Sequence, residues 1–202
     1  MSPAERSSRF PPPPDEVLVQ ARLSRRRLGI VGATMTVLLA CAVAFAQLGP
    51  TTSLEQIRAL VAQRFPDVRR IDAGALAAAM SAGGATAPLL LDTRTEAEFA
   101  VSHLRGAVRL DPRRPLLAQV GDRGARPIVV YCSVGYRSAV VARSLAQVGV
   151  RDVQNLDGGI FAWANEGRAV FRNGEPVREV HPYDAVWGAL LRGDLRASAP
   201  RR

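Results

Sequence analysis

The chain has 202 residues, which is enough for one folded domain with flanking segments. Its formal net charge is +9, but the arginines are spread along the chain and only 5% of the residues are aromatic. This pattern argues against nucleic-acid binding. Two cysteines and two histidines are too few for a disulfide framework or a metal site, so we expect no metal and no cofactor.

The first 48 residues predict a targeting region. We expect residues 1–27 to form a disordered, basic and proline-rich tail, because the prolines at 11–14 fit neither a helix nor a sheet. Residues 28–48 carry no charged side chain, and a helix of 21 residues is about long enough to cross a bilayer. We therefore expect a transmembrane or signal segment. The arginine cluster at 25–27 would stay in the cytoplasm and place the rest of the chain outside, on the periplasmic side.

Three fates of this segment stay open. A retained transmembrane anchor fits its full length and the long region before it. Secretion after signal cleavage fits Ala44-Phe45-Ala46, which has the small-x-small form of a cleavage site. A lipoprotein signal fits Leu38-Leu39-Ala40-Cys41, in which Cys41 would be acylated. The sequence favours the anchor. Against a lipoprotein signal, apolar residues continue past Cys41, and position 41 is late for such a signal.

Regular elements follow. Residues 49–67 predict a linker and a short amphipathic helix with Ser53 as its N-cap. Further along, strands alternate with helices, which predicts an α/β domain with a central, mostly parallel sheet flanked by helices. Strands are expected at 68–71, 89–91, 107–110, 128–131 and 153–156. Residues 168–182 are expected to be irregular, and 171–202 to be a C-terminal extension with a short helix over 183–191 and a loose tail from Gly193.

Cys132 stands where a strand turns into a helix. The apolar run 127–130 predicts the strand, and 139–145 predicts the helix. Backbone N–H groups of such a turn can converge on one point, and the helix adds partial positive charge there, which favours a thiolate. Ligands of parallel sheets also bind beyond the carboxyl ends of strands. Cys132 is therefore a candidate nucleophile, and an inert buried cysteine is the alternative.

Three motifs, in this order, resemble those of the rhodanese domain family. They correspond to its opening signature, its active-site loop and its closing motif. The segments are 89–94 with Glu98-Phe99 and His103, then 132–138, then 155–160 with Trp163. The resemblance implies one three-layer rhodanese-like domain over residues 68–170.

The resemblance also implies a function. A rhodanese-type sulfurtransferase would move a sulfane sulfur through a persulfide on the catalytic Cys132, from a small anionic donor to a thiol or other nucleophilic acceptor. Arg137 is expected to bind the anionic donor. The full set of expected substrate-binding residues is Ser133, Val134, Gly135, Tyr136, Arg137 and Ser138. Structural support is expected from Asp92, Arg94, Asp157 and Gly158.

Alternatives from other classes stay open. Thiosulfate-using members often have a basic residue where this chain has Ser133, which argues against thiosulfate as the physiological donor. A non-catalytic module that binds a partner, or a relay of sulfur to another protein, fits the same motifs. A cysteine phosphatase is disfavoured, because such enzymes place an arginine six positions after the nucleophile and Ser138 stands there. The oligomeric state is not predicted.

Overall fold

A computed structural model describes residues 52–84, 87–121 and 126–198 of this chain. The expected tail, the apolar segment 28–48 and Cys41 lie outside the described residues. Within the described part of the chain, no helix combines the length and the apolar character that a bilayer span requires.

A five-stranded sheet, parallel throughout, forms the centre of the domain. Its order is β1-β5-β4-β2-β3. All residues of β2 and β4 are buried, which explains their unbroken apolar sequence, since helices cover both faces of a sheet of this kind. The strands are β1 (Arg70–Ile71), β2 (Leu89–Asp92), β3 (Val108–Arg109), β4 (Ile128–Tyr131) and β5 (Val153–Leu156). The α/β fold predicted from the sequence is confirmed.

The helices begin where the sequence supplies caps. Ser53 and Gln56 form a capping box at the first helix, Asp72 caps the second, and Thr95 and Glu98 form a capping box at the third. The helices of the layered domain are α1 (Leu54–Arg64), α2 (Ala73–Ala82), α3 (Glu96–Val101), α4 (Leu116–Val120), α5 (Tyr136–Gln147) and α6 (Gly159–Asn165).

The C-terminal region is more regular than its sequence suggested. Within 168–182, expected to be irregular, lies an antiparallel hairpin of β6 (Val170–Arg172) and β7 (Glu175–Val177). Its turn is Asn173-Gly174, both with positive φ, which is the pair that tight hairpin turns favour. The expectation of irregular structure over 168–182 was wrong, because the Asn173-Gly174 turn lets two short strands pair.

The helix expected over 183–191 is only one turn long, α7 (Ala185–Gly188). Residues Gly193–Leu195, expected to be loose, form a 3₁₀ turn. Leu191 and Leu195 are buried, and Arg196 pairs with Val180. Two apolar side chains therefore hold this stretch against the domain.

Candidate active site

Cys132 directly follows β4 and precedes α5, at the carboxyl edge of the sheet. Its side chain is buried, and the backbone N–H of Gly135 donates to Sγ at 3.2 Å. Gly135 has φ +96, and a Cβ there would lie 3.2 Å from the carbonyl oxygen of Leu156. The bend that turns an amide toward the sulfur therefore favours glycine at this position.

The surroundings of the sulfur favour its thiolate form. Burial raises the pKa of Cys132, but the positive charge of Arg137, the hydroxyl and N–H of Ser138 and the N–H of Val134 outweigh it, so that the pKa falls below the ordinary thiol value. The buried Ser138 hydroxyl has no partner within ordinary hydrogen-bonding geometry among the described residues. It is nevertheless near enough to Cys132 to lower the pKa of the thiol.

Buried Glu98 and Ser133, together with half-buried Arg137, form a cluster that braces the loop. Arg137 donates to both carboxylate oxygens of Glu98, at 2.7 and 3.1 Å, and to Ser133 Oγ at 3.0 Å. Ser133 Oγ in turn donates to Glu98 at 2.9 Å. Two residues expected to bind substrate thus use their side chains on a carboxylate of the protein. The binding of an anionic donor by Arg137 stays a prediction.

Glu98 is a site residue that sequence reasoning missed. Its capping box with Thr95 is visible in the sequence, but nothing local shows that the same carboxylate reaches a loop 39 residues away. Burial raises the pKa of Glu98. The hydrogen bonds and positive charge of Arg137 and the hydrogen bonds of Thr95 outweigh this effect and lower the pKa to about 2. Glu98 is therefore ionised at neutral pH and compensates the charge of Arg137.

The start of α6 holds the loop from behind. The N–H groups of Ile160 and Phe161 donate to the carbonyls of Cys132 and Ser133, at 2.9 and 3.0 Å. A Cβ at Gly159 would lie only 2.4 Å from the Cys132 carbonyl oxygen, so only glycine allows this approach. Asn155 Nδ2 donates to the Gly135 carbonyl at 2.9 Å. The loop backbone is thus held by α6 and by β5.

Asp92 and Arg94 form a fully buried ion pair at 2.7 Å. Arg94 also donates to the Ser102 carbonyl at 2.7 Å, which ties the end of β2 to the chain after α3. These contacts are consistent with the structural support expected of both residues.

Asp157 and Gly158 connect the end of β5 to α1. Asp157 accepts two hydrogen bonds from Arg58, at 2.9 and 3.1 Å. Gly158 has φ +73, and a Cβ there would lie 2.7 Å from the Cβ of Ala162. The turn before α6 is therefore compact, and hydrogen bonds from Arg58 tie it to α1.

Tyr136, one of the expected substrate-binding residues, packs against the residue that follows α1. Its ring is buried and packs edge-on against Phe65, the C-cap of α1, with 5.2 Å between centroids. Because Tyr136 is the first residue of α5, this contact joins the start of α5 to the end of α1. Val134 is buried as well.

Tyr183 reaches the site from the C-terminal extension. Its ring lies 5.0 Å from the guanidinium carbon of Arg137, in a cation–π contact. The sequence placed this residue at the start of a helix, and it instead has φ +69 in the turn before α7. Nothing near it in the sequence indicates the contact.

Known proteins share the domain. The family model of rhodanese-like domains matches residues 72–166. A sulfurtransferase from Allochromatium vinosum is 38% identical over 79 residues, 39% of this chain and 74% of that protein. A tRNA uridine(34) hydroxylase from Streptococcus thermophilus is 36% identical over 84 residues, 39% of this chain and 26% of that protein.

Other matches extend over part of each protein. The chain spans 59% of a Synechocystis protein of uncharacterized role, to which it is 26% identical over 106 residues, 52% of this chain. The crystal structure of a thiosulfate sulfurtransferase from Pseudomonas aeruginosa, 21% identical, superimposes with a TM-score of 0.50 over 57% of this chain and 22% of that chain. At that identity the likeness is one of fold.

Proposed function

Because this chain belongs to the family of rhodanese-like domains, we propose that it is a sulfurtransferase that carries a sulfane sulfur as a persulfide on Cys132. One observation carries the proposal. The buried Cys132 sulfur accepts an amide hydrogen bond inside its own loop, in surroundings that lower the pKa of the thiol. A cysteine retained only for packing needs neither.

The reaction is a double displacement. The Cys132 thiolate attacks the outer, sulfane sulfur of a donor, and the former carrier leaves with the electron pair. A thiol acceptor, or another nucleophile, then attacks the outer sulfur of the persulfide and releases the Cys132 thiolate. Both enzyme forms carry negative charge on sulfur, so loop amides such as that of Gly135 can serve both of them.

Neighbouring groups prepare the nucleophile. Arg137 favours the thiolate by its charge, and Glu98 and Ser133 fix the guanidinium in place. Ser138 contributes a buried hydroxyl that lies near the Cys132 sulfur and lowers the pKa of the thiol.

The test uses purified, fully reduced full-length chain. We expect incubation with a sulfane-sulfur donor to add one sulfur to the Cys132 peptide, as read by mass spectrometry, and a thiol to remove it. Cys132→Ala should abolish the addition and keep the far-ultraviolet circular dichroism of the parent chain. No added sulfur with any of a panel of donors would favour a non-catalytic binding module. Cys132-dependent hydrolysis of a small aryl phosphate would favour a phosphatase.

The proposal extends to location. Residues 28–48 serve as a membrane anchor, and the rhodanese-like domain functions on the outer, periplasmic side. This rests on the uncharged run and on the arginines at 25–27. Intact mass and N-terminal sequencing of chain isolated from membranes should show an uncut N-terminus. A start after Ala46, or a lipid-modified Cys41, would replace the anchor by a cleaved or lipidated form.

A further inference from the structure

Tyr183 covers a face of the only arginine in the active-site loop, and it does so from outside the family's domain. The family match ends at residue 166, and Tyr183 belongs to the extension that follows. Its ring lies 5.0 Å from the Arg137 guanidinium carbon and is 40% exposed. Tyr183 therefore stands between solvent and the charge of Arg137.

The turn that carries Tyr183 has an unusual backbone conformation with hydrogen bonds on both sides. Tyr183 has φ +69, a left-handed conformation that bulky residues adopt only when their surroundings impose it. Its backbone N–H donates to His181 Nδ1 at 2.9 Å. The next residue, Asp184, caps α7 through the N–H of Trp187 at 2.8 Å. Contacts on both sides of Tyr183 thus maintain a strained backbone that points its ring at Arg137.

Arg137 has few N–H donors left for an anion. Three of its N–H donors are engaged by Glu98 and Ser133, and Glu98 compensates its charge. The π face of Tyr183, which is electron-rich, covers a face of the same group. A small oxyanion that approaches Arg137 from this side meets the ring. The organic part of a larger donor can instead pack against the Tyr183 ring.

Building on the proposed sulfurtransferase activity, we infer that Tyr183 is a specificity-determining residue that favours organic persulfides over small inorganic oxyanion donors such as thiosulfate. In the first half-reaction the Cys132 thiolate attacks the outer sulfur of R–S–SH. The new S–S bond forms on Cys132, the old S–S bond breaks, and R–S⁻ leaves with its electron pair. The outer sulfur then gives its proton to R–S⁻, which leaves R–SH and a persulfide anion on Cys132, so atoms and charge balance.

The experiment compares two donors, glutathione persulfide and thiosulfate, on the full chain. We expect the wild type to have the higher kcat/KM for glutathione persulfide. The persulfide-to-thiosulfate ratio of kcat/KM should fall about two- to fivefold in Tyr183→Ala, as for the loss of a surface cation–π contact. Tyr183→Phe, which keeps the ring, should retain the wild-type ratio. Val186→Ala, an exposed apolar position in the same extension, is the matched control. Tyr183→Gly tests the same loss with a residue that tolerates the positive φ.

A second experiment measures alkylation of Cys132 and does not depend on sulfur transfer. Tyr183→Ala and Tyr183→Gly should raise the rate of Cys132 alkylation by iodoacetate relative to neutral iodoacetamide, because uncovering Arg137 favours the anion. An unchanged reagent ratio in both variants, or a wild type that prefers thiosulfate, would overturn the inference. If the wild type forms no persulfide at all, the proposed function fails, and the alkylation ratio alone still decides whether Tyr183 shields Arg137.

Discussion

The replacement Glu98→Gln removes the charge that pairs with Arg137 of the active-site loop and keeps the shape of the side chain. Glu98 is 1% exposed and accepts hydrogen bonds from Thr95, Ser133 and Arg137. Burial alone would raise the pKa of Glu98, but Arg137 and Thr95 lower it from 4.5 to about 2. At about 1.4 kcal/mol for each pH unit, ionised Glu98 stabilises the fold by about 3 kcal/mol. Breaking a buried ion pair by removing one partner costs a similar ~3–5 kcal/mol.

The sign of the pH dependence follows from the lowered pKa. The stabilisation is complete above pH 4.5 and is lost as the pH falls toward 2. Urea denaturation of the full chain, followed by circular dichroism from pH 7 to pH 3, measures it, since urea does not screen charges as guanidinium does. At pH 7 the free energy of unfolding of Glu98→Gln should be about 3 kcal/mol below that of the wild type, and the difference should shrink on acidification.

Glu96→Gln is the matched control. Glu96 lies in the same first turn of α3, but its side chain is 85% exposed and its ion pair with Arg109 is 3.5 Å long. Its loss should change the free energy of unfolding by less than about 0.5 kcal/mol. A loss of less than about 1 kcal/mol in Glu98→Gln at pH 7, well below the value for a buried pair, would contradict this role of Glu98. So would a free energy of unfolding that runs parallel to the wild-type value from pH 7 down to pH 3.

Two further predictions concern the loop itself. Gly159→Ala should lower the free energy of unfolding by about 3 kcal/mol or more, because its Cβ would lie 2.4 Å from the Cys132 carbonyl oxygen. The control is Gly167→Ala, since Gly167 has φ +77 but open space around it, and it should cost only about 1 kcal/mol in the same urea titration. Equal losses would mean that the contact with the loop is not tight. The pH midpoint of Cys132 alkylation by iodoacetamide should lie below that of an ordinary thiol and rise in Arg137→Gln, since the cation that lowers the thiol pKa is gone. A midpoint that does not move would assign Arg137 a bracing role alone.

The parts of the fold that local sequence determines were predictable. The unbroken apolar runs of β2 and β4 predicted strands covered on both faces, and both strands are buried throughout. The turn at Cys132 was predictable for the same reason, because strand, cysteine and helix follow one another directly. The caps at Ser53 and Asp72 need only a partner three residues on.

Contacts between distant residues were not predictable. Glu98 meets Arg137 only because the sheet places β2 beside β4, and no spacing in the sequence encodes which carboxylate faces the loop. Tyr183 contacts Arg137 from a left-handed turn, where the sequence had suggested the start of a helix over 183–191. The hairpin at Asn173-Gly174 is different, since its turn signal was present in the sequence.

The strand order also determines when the contacts around Cys132 can be completed during synthesis. The first strand, β1, pairs with the last strand of the sheet, β5, and Arg58 reaches Asp157 across 99 positions of the chain. The amides that hold the Cys132 and Ser133 carbonyls come from α6, which follows β5. A nascent chain that has already emerged past Cys132 therefore lacks the assembled cradle until residues beyond 160 have followed. Until then, the loop whose groups lower the pKa of the Cys132 thiol lacks the hydrogen bonds from α6 that fix its backbone.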